Sequence, residues 1–182
     1  MKTLYVLRHA KAERDAPSGE DYDRPLAARG RDDAARLGKV LKKALAGNWP
    51  DLIVSSPSAR TLETVEQLTA AWSKPPAIRT DEKLYLASAS RLLETVRKLP
   101  DTAGSAMLVG HNPGMGELAI QLADKVASNA PSEALRRMRT KFPTCAFAIF
   151  EISTDSWARV SPDLVRLVSF STPKDLANSN GA

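Results

Sequence analysis

Two histidines occur in the 182 residues, and each follows an apolar run of strand-like character. His9 closes Tyr5-Val6-Leu7-Arg8-His9, and His111 closes Met107-Leu108-Val109-Gly110-His111. Open parallel sheets bind ligands beyond the carboxyl ends of their strands. Both imidazoles are therefore expected on the rim where a site forms. A neutral imidazole nitrogen is a good nucleophile near neutral pH, because its ordinary pKa is ~6.5. Attack on phosphorus would give a phosphohistidine that water then hydrolyses. The charge on the phosphoryl oxygens needs fixed cations, and the planar, permanently charged guanidinium suits that task best. Arg8 is next to His9. Arg60 falls in the first turn of a helix expected to start at Ser56-Pro57, where backbone N–H groups and the helix dipole favour an anion. Asn112, at the start of a later helix, is placed to add its amide.

Rival chemistries lack their residues. There is no Gly-x-x-x-x-Gly-Lys-Ser/Thr phosphate loop and no His-Glu-x-x-His pair. The position six residues after Cys145 is Glu151 rather than arginine, so a cysteine-phosphatase loop is missing. As the single cysteine, Cys145 excludes an intramolecular disulfide and reads as a small buried strand residue. Two histidines without an acidic cluster make a poor transition-metal site, so no metal or cofactor is expected.

The elements that must position these groups alternate as in an α/β domain with a mostly parallel sheet. Strands are expected at Thr3–Leu7, Asp51–Val54, around Ile78 and at Ala106–Val109. Between them lie helical patterns. Arg29–Ala46 carries Leu37, Leu41 and Leu45 at i, i+4, i+8. The helix after Ser56-Pro57 carries Leu62, Val65 and Leu68. A third carries Leu92, Leu93, Val96 and Leu99 and stops at Pro100. Asn112-Pro113 opens a helix with Leu118, Ala119, Leu122 and Val126 inward, and Ser132–Lys141 forms another near the pocket mouth. Ala146–Ile152 and Ala158–Val168 read as two late antiparallel strands. Residues 1–172 form one domain, and 173–182 a loose polar tail.

Bulk composition narrows the function. Apolar residues make up 43% and charged residues 26%, values of an ordinary folded chain. The net charge of +5 is scattered, with no run of five basic residues, and aromatics are 5%. A base-stacking nucleic-acid surface is therefore not expected. The apolar start at Thr3–Leu7 is too short for a signal peptide, and no stretch reaches the length of a membrane span. A monomeric cytoplasmic protein with no nucleic-acid or membrane partner is the expectation.

Leu7-Arg8-His9-Ala10-Lys11-Ala12 resembles the Arg-His-Gly/Ala motif of the histidine phosphatase (phosphoglycerate-mutase-like) superfamily, in its SixA-type phosphohistidine phosphatase form. Asp23-Arg24-Pro25-Leu26 through Gly30, Ser55 through Thr61, and Val109 through Gly114 are similar to its later motifs. Phe142-Pro143-Thr144 and Thr172 through Leu176 are similar to its late segments. The resemblance implies a three-layer αβα sandwich. It implies His9 as nucleophile, with Arg8, Arg60 and His111 completing the phosphate pocket and His111 donating as the imidazolium. Glu82-Lys83-Leu84-Tyr85 is similar to a Glu-x-x-Tyr/Phe segment, which makes Glu82 the candidate general acid. Two departures stand out. Ala27 occupies a helix-start position where the family has Thr or Ser. Asp15 replaces an Asn and is expected to point away from phosphate. The implied substrate is a phosphorylated protein, such as a histidine-phosphotransfer domain. A small phosphate ester is the alternative, and a phosphate-binding module without turnover is the reading from another class.

Overall fold

Alternation along β1 (Lys2–Arg8) sets the architecture. Leu4 and Val6 belong to one buried cluster, and Tyr5 and Leu7 to a second. Successive side chains of a strand take opposite faces, so a strand buried on both faces must be covered twice. In the computed structural model, residues 1–46, 48–124 and 132–178 are described. The other strands are β2 (Leu52–Ser55), β3 (Ala77–Thr80), β4 (Ser105–Gly110), β5 (Phe147–Ile152) and β6 (Val165–Ser171). They form one sheet in the order β3-β2-β4-β1-β5-β6. The first four strands are mutually parallel, and β5 runs antiparallel to both β1 and β6.

On the Tyr5/Leu7 face lie α1 (Ala28–Leu45), α2 (Ala59–Thr69) and α6 (Pro173–Asn178), which bury Leu37, Leu41, Val65, Leu68 and Leu176. On the Leu4/Val6 face lie α3 (Ala89–Arg97), α4 (Gly114–Asp124) and α5 (Glu133–Thr140), with Leu92, Val96, Leu118, Leu122, Leu135 and Met138. The result is the expected three-layer αβα sandwich. Ala27 is the residue before α1, and it supplies no side-chain cap. Among the described residues no helix is long and apolar enough to cross a membrane.

Several elements differ from expectation. Helix α2 begins at Ala59, not at Pro57: the Ser56 N–H donates to the Val109 carbonyl, prolonging the sheet by one residue, and the backbone is still extended at Ser58 (φ -64°, ψ 149°). Leu62 is 39% exposed; Thr61 and Thr64 are buried on that helix instead. The strand expected at 158–168 is displaced to Val165–Ser171. The chain first makes one-turn 3-10 helices at Trp157–Arg159 and Pro162–Leu164. The Trp157 N–H is held by the Asp101 carboxylate and its indole donates to the Ala103 carbonyl, while Pro162 has no N–H to give a ladder. Residues 173–178 are not a loose tail: Leu176 is 4% exposed, and Asp175 pairs with Arg137 and accepts from Thr172. Cys145 is buried, but in a turn with φ +58° rather than in a strand. Val126 lies outside the described residues.

Candidate active site

The ladder between β1 and β4 ends at the pair Arg8 and Gly110. His9 and His111 are the next residues on these neighbouring parallel strands, so they leave the sheet at the same level. Their ring centroids are 5.1 Å apart. The His9 N–H donates to the Gly110 carbonyl, and the His9 carbonyl accepts from the Cys145 N–H, both at 3.0 Å. The next residue is tied to α2: Ala10 N–H donates to Thr64 Oγ1. The His9 backbone is therefore fastened on several sides.

The His9 side chain is fixed as well. Its Nδ1 is 2.7 Å from the Ala10 carbonyl oxygen. A carbonyl only accepts, so Nδ1 carries the proton and Nε2 keeps its lone pair. Burial lowers the His9 pKa to about 4, against the pull of the Ala10 carbonyl; Arg60, Arg8 and Arg24 push it further down. The ring is neutral at pH 7, with a nucleophilic Nε2.

His111 is 2% exposed. Its Nε2 is 2.8 Å from Ser56 Oγ and 3.4 Å from Ser58 Oγ. The Tyr85 ring meets it edge-on at 5.3 Å. Burial, then the neighbouring His9 and Arg60, lower its pKa to about 3. The His111 ring is therefore neutral near pH 7, where an imidazolium was expected. A neutral ring that accepts the Ser56 hydroxyl at Nε2 carries its proton on Nδ1.

Arg8 and Arg60 are held in different ways. The Phe142 carbonyl accepts from Arg8 Nη1 at 3.0 Å and from Asn112 Nδ2 at 2.9 Å. Arg60 is 3% exposed. It donates through Nη1 to the Asp21 carbonyl and through Nη2 to the Asp21 carboxylate at 2.9 Å. Tyr85 O–H, Arg24 and Arg60 all donate to that carboxylate. With the Tyr85 hydrogen bond the largest cause, they hold its pKa far below the usual carboxylate range.

These residues line a cavity of ≈ 380 Å³ bounded by Arg8, His9, Lys11, Asp21, Arg24, Arg60, His111, Asn112 and Thr144, among others. Among the described residues, the buried side-chain N/O atoms without a hydrogen-bond partner are Arg8 Nε and His111 Nδ1. Buried polar groups are nearly always satisfied. Both belong to residues that line this one cationic pocket. No group of three or more His, Cys, Asp or Glu among the described residues is arranged to hold a metal ion.

The structure thus brings together His9, Arg8, Arg60 and His111. Asn112 also lines the pocket, but its amide is engaged at both ends, donating to Phe142 and accepting the Gly116 N–H. Glu82 is set apart. It is exposed at the start of the one-turn helix Glu82–Leu84, is not among the pocket-lining residues, and has the Tyr22 hydroxyl 3.4 Å from each carboxylate oxygen. Asp15 is exposed and also outside the lining. Sequence reasoning missed Asp21, Ser56 and Tyr85. Ser56 carried a signal, since it directly follows a strand; Asp21 opens a one-turn 3-10 helix, Asp21–Asp23, with no periodicity to mark it.

Residues 4–85 match the family model of the histidine phosphatase superfamily, branch 1. An uncharacterised protein of Mycobacterium tuberculosis is 33% identical over 169 residues, spanning 92% of this chain and 100% of that protein. Among solved structures, a candidate phosphohistidine phosphatase SixA from Nakamurella multipartitia superposes with a TM-score of 0.80 at 26% identity, covering 94% of this chain and 96% of that one. A second SixA candidate, from Agrobacterium tumefaciens, gives 0.75 at 28% identity, covering 94% and 98%.

Proposed function

Since the chain belongs to the histidine phosphatase superfamily, we propose that it hydrolyses phosphohistidine on a partner protein through a phosphorylated His9. Nε2 of His9 attacks phosphorus, the P–N bond to the substrate imidazole breaks, and that imidazole leaves with its own proton. Water then attacks phospho-His9, releasing orthophosphate and restoring the free ring. Arg8 and Arg60 hold the charge on the equatorial oxygens. When the Ser56 hydroxyl, 2.8 Å away, donates to Nε2 of His111, the Nδ1–H of that ring supplies a further donor.

One observation carries the choice of a phosphoramidate. Asp21 is the carboxyl group lining the pocket, and Tyr85, Arg24 and Arg60 keep it ionised. It has no proton to give an alkoxide leaving group. A phosphohistidine can be protonated on its ring before the bond breaks, so it needs less general-acid help than an alkyl ester. The two SixA candidates among the structural neighbours support the same reading.

The test uses a phosphorylated histidine-carrier domain, a simple alkyl phosphate and the purified protein. The carrier should lose phosphate much faster than with His9→Ala, and the alkyl ester should react far more slowly. Faster turnover of the alkyl ester would reject the phosphoramidate reading and favour a small-molecule phosphomonoesterase.

A further inference from the structure

Lys11 and Thr144 line the His9 pocket, and they also line a second depression of ≈ 500 Å³ beside it. A substrate seated at His9 therefore has a continuous path across Lys11 and Thr144 into this groove. Its lining is strongly basic: Lys11, Arg29, Arg137, Lys141 and Lys174 stand against one carboxylate, Asp33. Asp33 is itself buried, and burial raises its pKa.

The cations are not equivalent. Arg29 lies 3.7 Å from Asp33, and Arg137 is paired with Asp175 and stacked over the Phe170 ring at 5.8 Å. Lys11, Lys141 and Lys174 are exposed and form no ion pair with any described residue. Pro143, Phe170 and Pro173 give the groove an apolar part.

We propose that this groove receives an acidic segment flanking the phosphohistidine of the protein substrate; the inference rests on the phosphohistidine reading above. The choice of a segment over a second phosphate follows from the kind of cation available. A single phosphate is best gripped by the planar fork of arginine; of the two arginines here, Arg137 gives Nη2 to Asp175 and Arg29 lies beside Asp33. Outnumbering them are Lys11, Lys141 and Lys174 on long, mobile stems, which attract several carboxylates without fixing one. The Pro143 and Phe170 surface suits the backbone and apolar stems of such a segment. The phosphoryl group would be read by the His9 pocket, and its protein context by the groove.

Two synthetic phosphohistidine peptides test this, identical except for flanks of Asp and Glu in one and of Ser and Gly in the other. The wild-type protein should favour the acidic peptide by about fivefold in kcat/KM, the size of one or two exposed ion pairs, with most of the effect in KM. That preference should shrink as salt rises, since exposed charges are screened. The double variant Lys141→Glu, Lys174→Glu should lose or invert the preference. The salt series on the wild-type protein gives the same answer without any variant. Equal kcat/KM for both peptides at low and high salt would overturn the docking inference and leave the phosphatase reading intact. Turnover of neither peptide, alongside His9-dependent hydrolysis of an aryl phosphate, would overturn both.

Discussion

Arg60 and Asp21 hold one another through two contacts, Nη1 to the Asp21 backbone carbonyl and Nη2 to its carboxylate at 2.9 Å. The guanidinium is thus oriented by an anion that lines the same pocket, the one proposed to take the phosphoryl group. The carboxylate and a bound oxyanion repel, by ~1 kcal/mol for unit charges 4 Å apart in water. Asp21→Asn removes that repulsion yet keeps the backbone carbonyl that holds Nη1. Orthophosphate should therefore inhibit Asp21→Asn about fivefold more tightly than the wild type, the equivalent of ~1 kcal/mol. An inhibition constant that is unchanged or weaker would show that the carboxylate does not compete for Arg60.

The two guanidinium groups are held from separate anchors, Arg8 by the Phe142 carbonyl and Arg60 by Asp21, and in the proposed mechanism both meet the developing charge. Neither can take over the other's position. Arg8→Ala or Arg60→Ala should each lower kcat/KM by roughly 10²-fold or more, as for loss of one preorganised charge-stabilising donor. His9→Ala should abolish turnover, and His111→Ala should reduce it. Near-normal rates in Arg60→Ala would place the second phosphate-holding arginine elsewhere.

Protonation gives a prediction with a defined sign. Burial lowers the His9 pKa from 6.5 to about 4 and that of His111 to about 3. In the unfolded chain both rings titrate near 6.5. As pH falls from 6.5 toward 4, the unfolded state takes up protons that the native state refuses, so stability falls with pH. Urea unfolding at pH 7 and pH 5 should give a lower free energy at pH 5, and the difference should be smaller in His9→Ala. For the same reason the acid limb of kcat/KM should lie near pH 4 rather than 6.5. A stability difference between pH 7 and pH 5 that is as large in His9→Ala as in the wild type would show that His9 titrates like a free imidazole in the native state.

How much of this was legible in the sequence depends on whether a residue's place is set locally or by packing. His9 and His111 follow parallel strands whose last ladder pair is Arg8 and Gly110, so an apolar run followed by histidine was sufficient to bring them together. Arg60 was legible because a Ser/Pro helix start precedes it, although the helix begins two residues later than expected, at Ala59. Asp21 was not. It lies in a one-turn helix, Asp21–Asp23, and what brings it to Arg60 is tertiary contact. Glu82 shows the reverse: a fitting motif on an exposed turn, with its carboxylate beside Tyr22 rather than in the pocket. The polar composition of 173–182 concealed α6, whose place depends on one leucine, Leu176, and one ion pair, Asp175 to Arg137.

Gly30 links the scaffold to the site. A Cβ at this position would lie 2.0 Å from the Lys11 carbonyl oxygen, which also accepts the Ala27 N–H at the start of α1. The neighbour is backbone, two residues beyond His9, and it cannot swing aside as a side chain would. Gly38, on the same helix, is equally tight, with a Cβ 2.1 Å from the Leu68 carbonyl oxygen, but that contact is with the far end of α2. Overpacking of this kind costs about 1–3 kcal/mol, so Gly30→Ala and Gly38→Ala should both unfold at lower urea than the wild type. Their effects on catalysis should separate. Gly30→Ala must part α1 from the segment that carries Ala10 and Lys11, and that segment holds the carbonyl that sets the His9 tautomer. Measured where both variants remain folded, kcat/KM should fall in Gly30→Ala and stay close to wild type in Gly38→Ala. Equal catalytic losses in the two would show that His9 is positioned by the sheet ladder alone and not by the packing of α1 on the loop behind it.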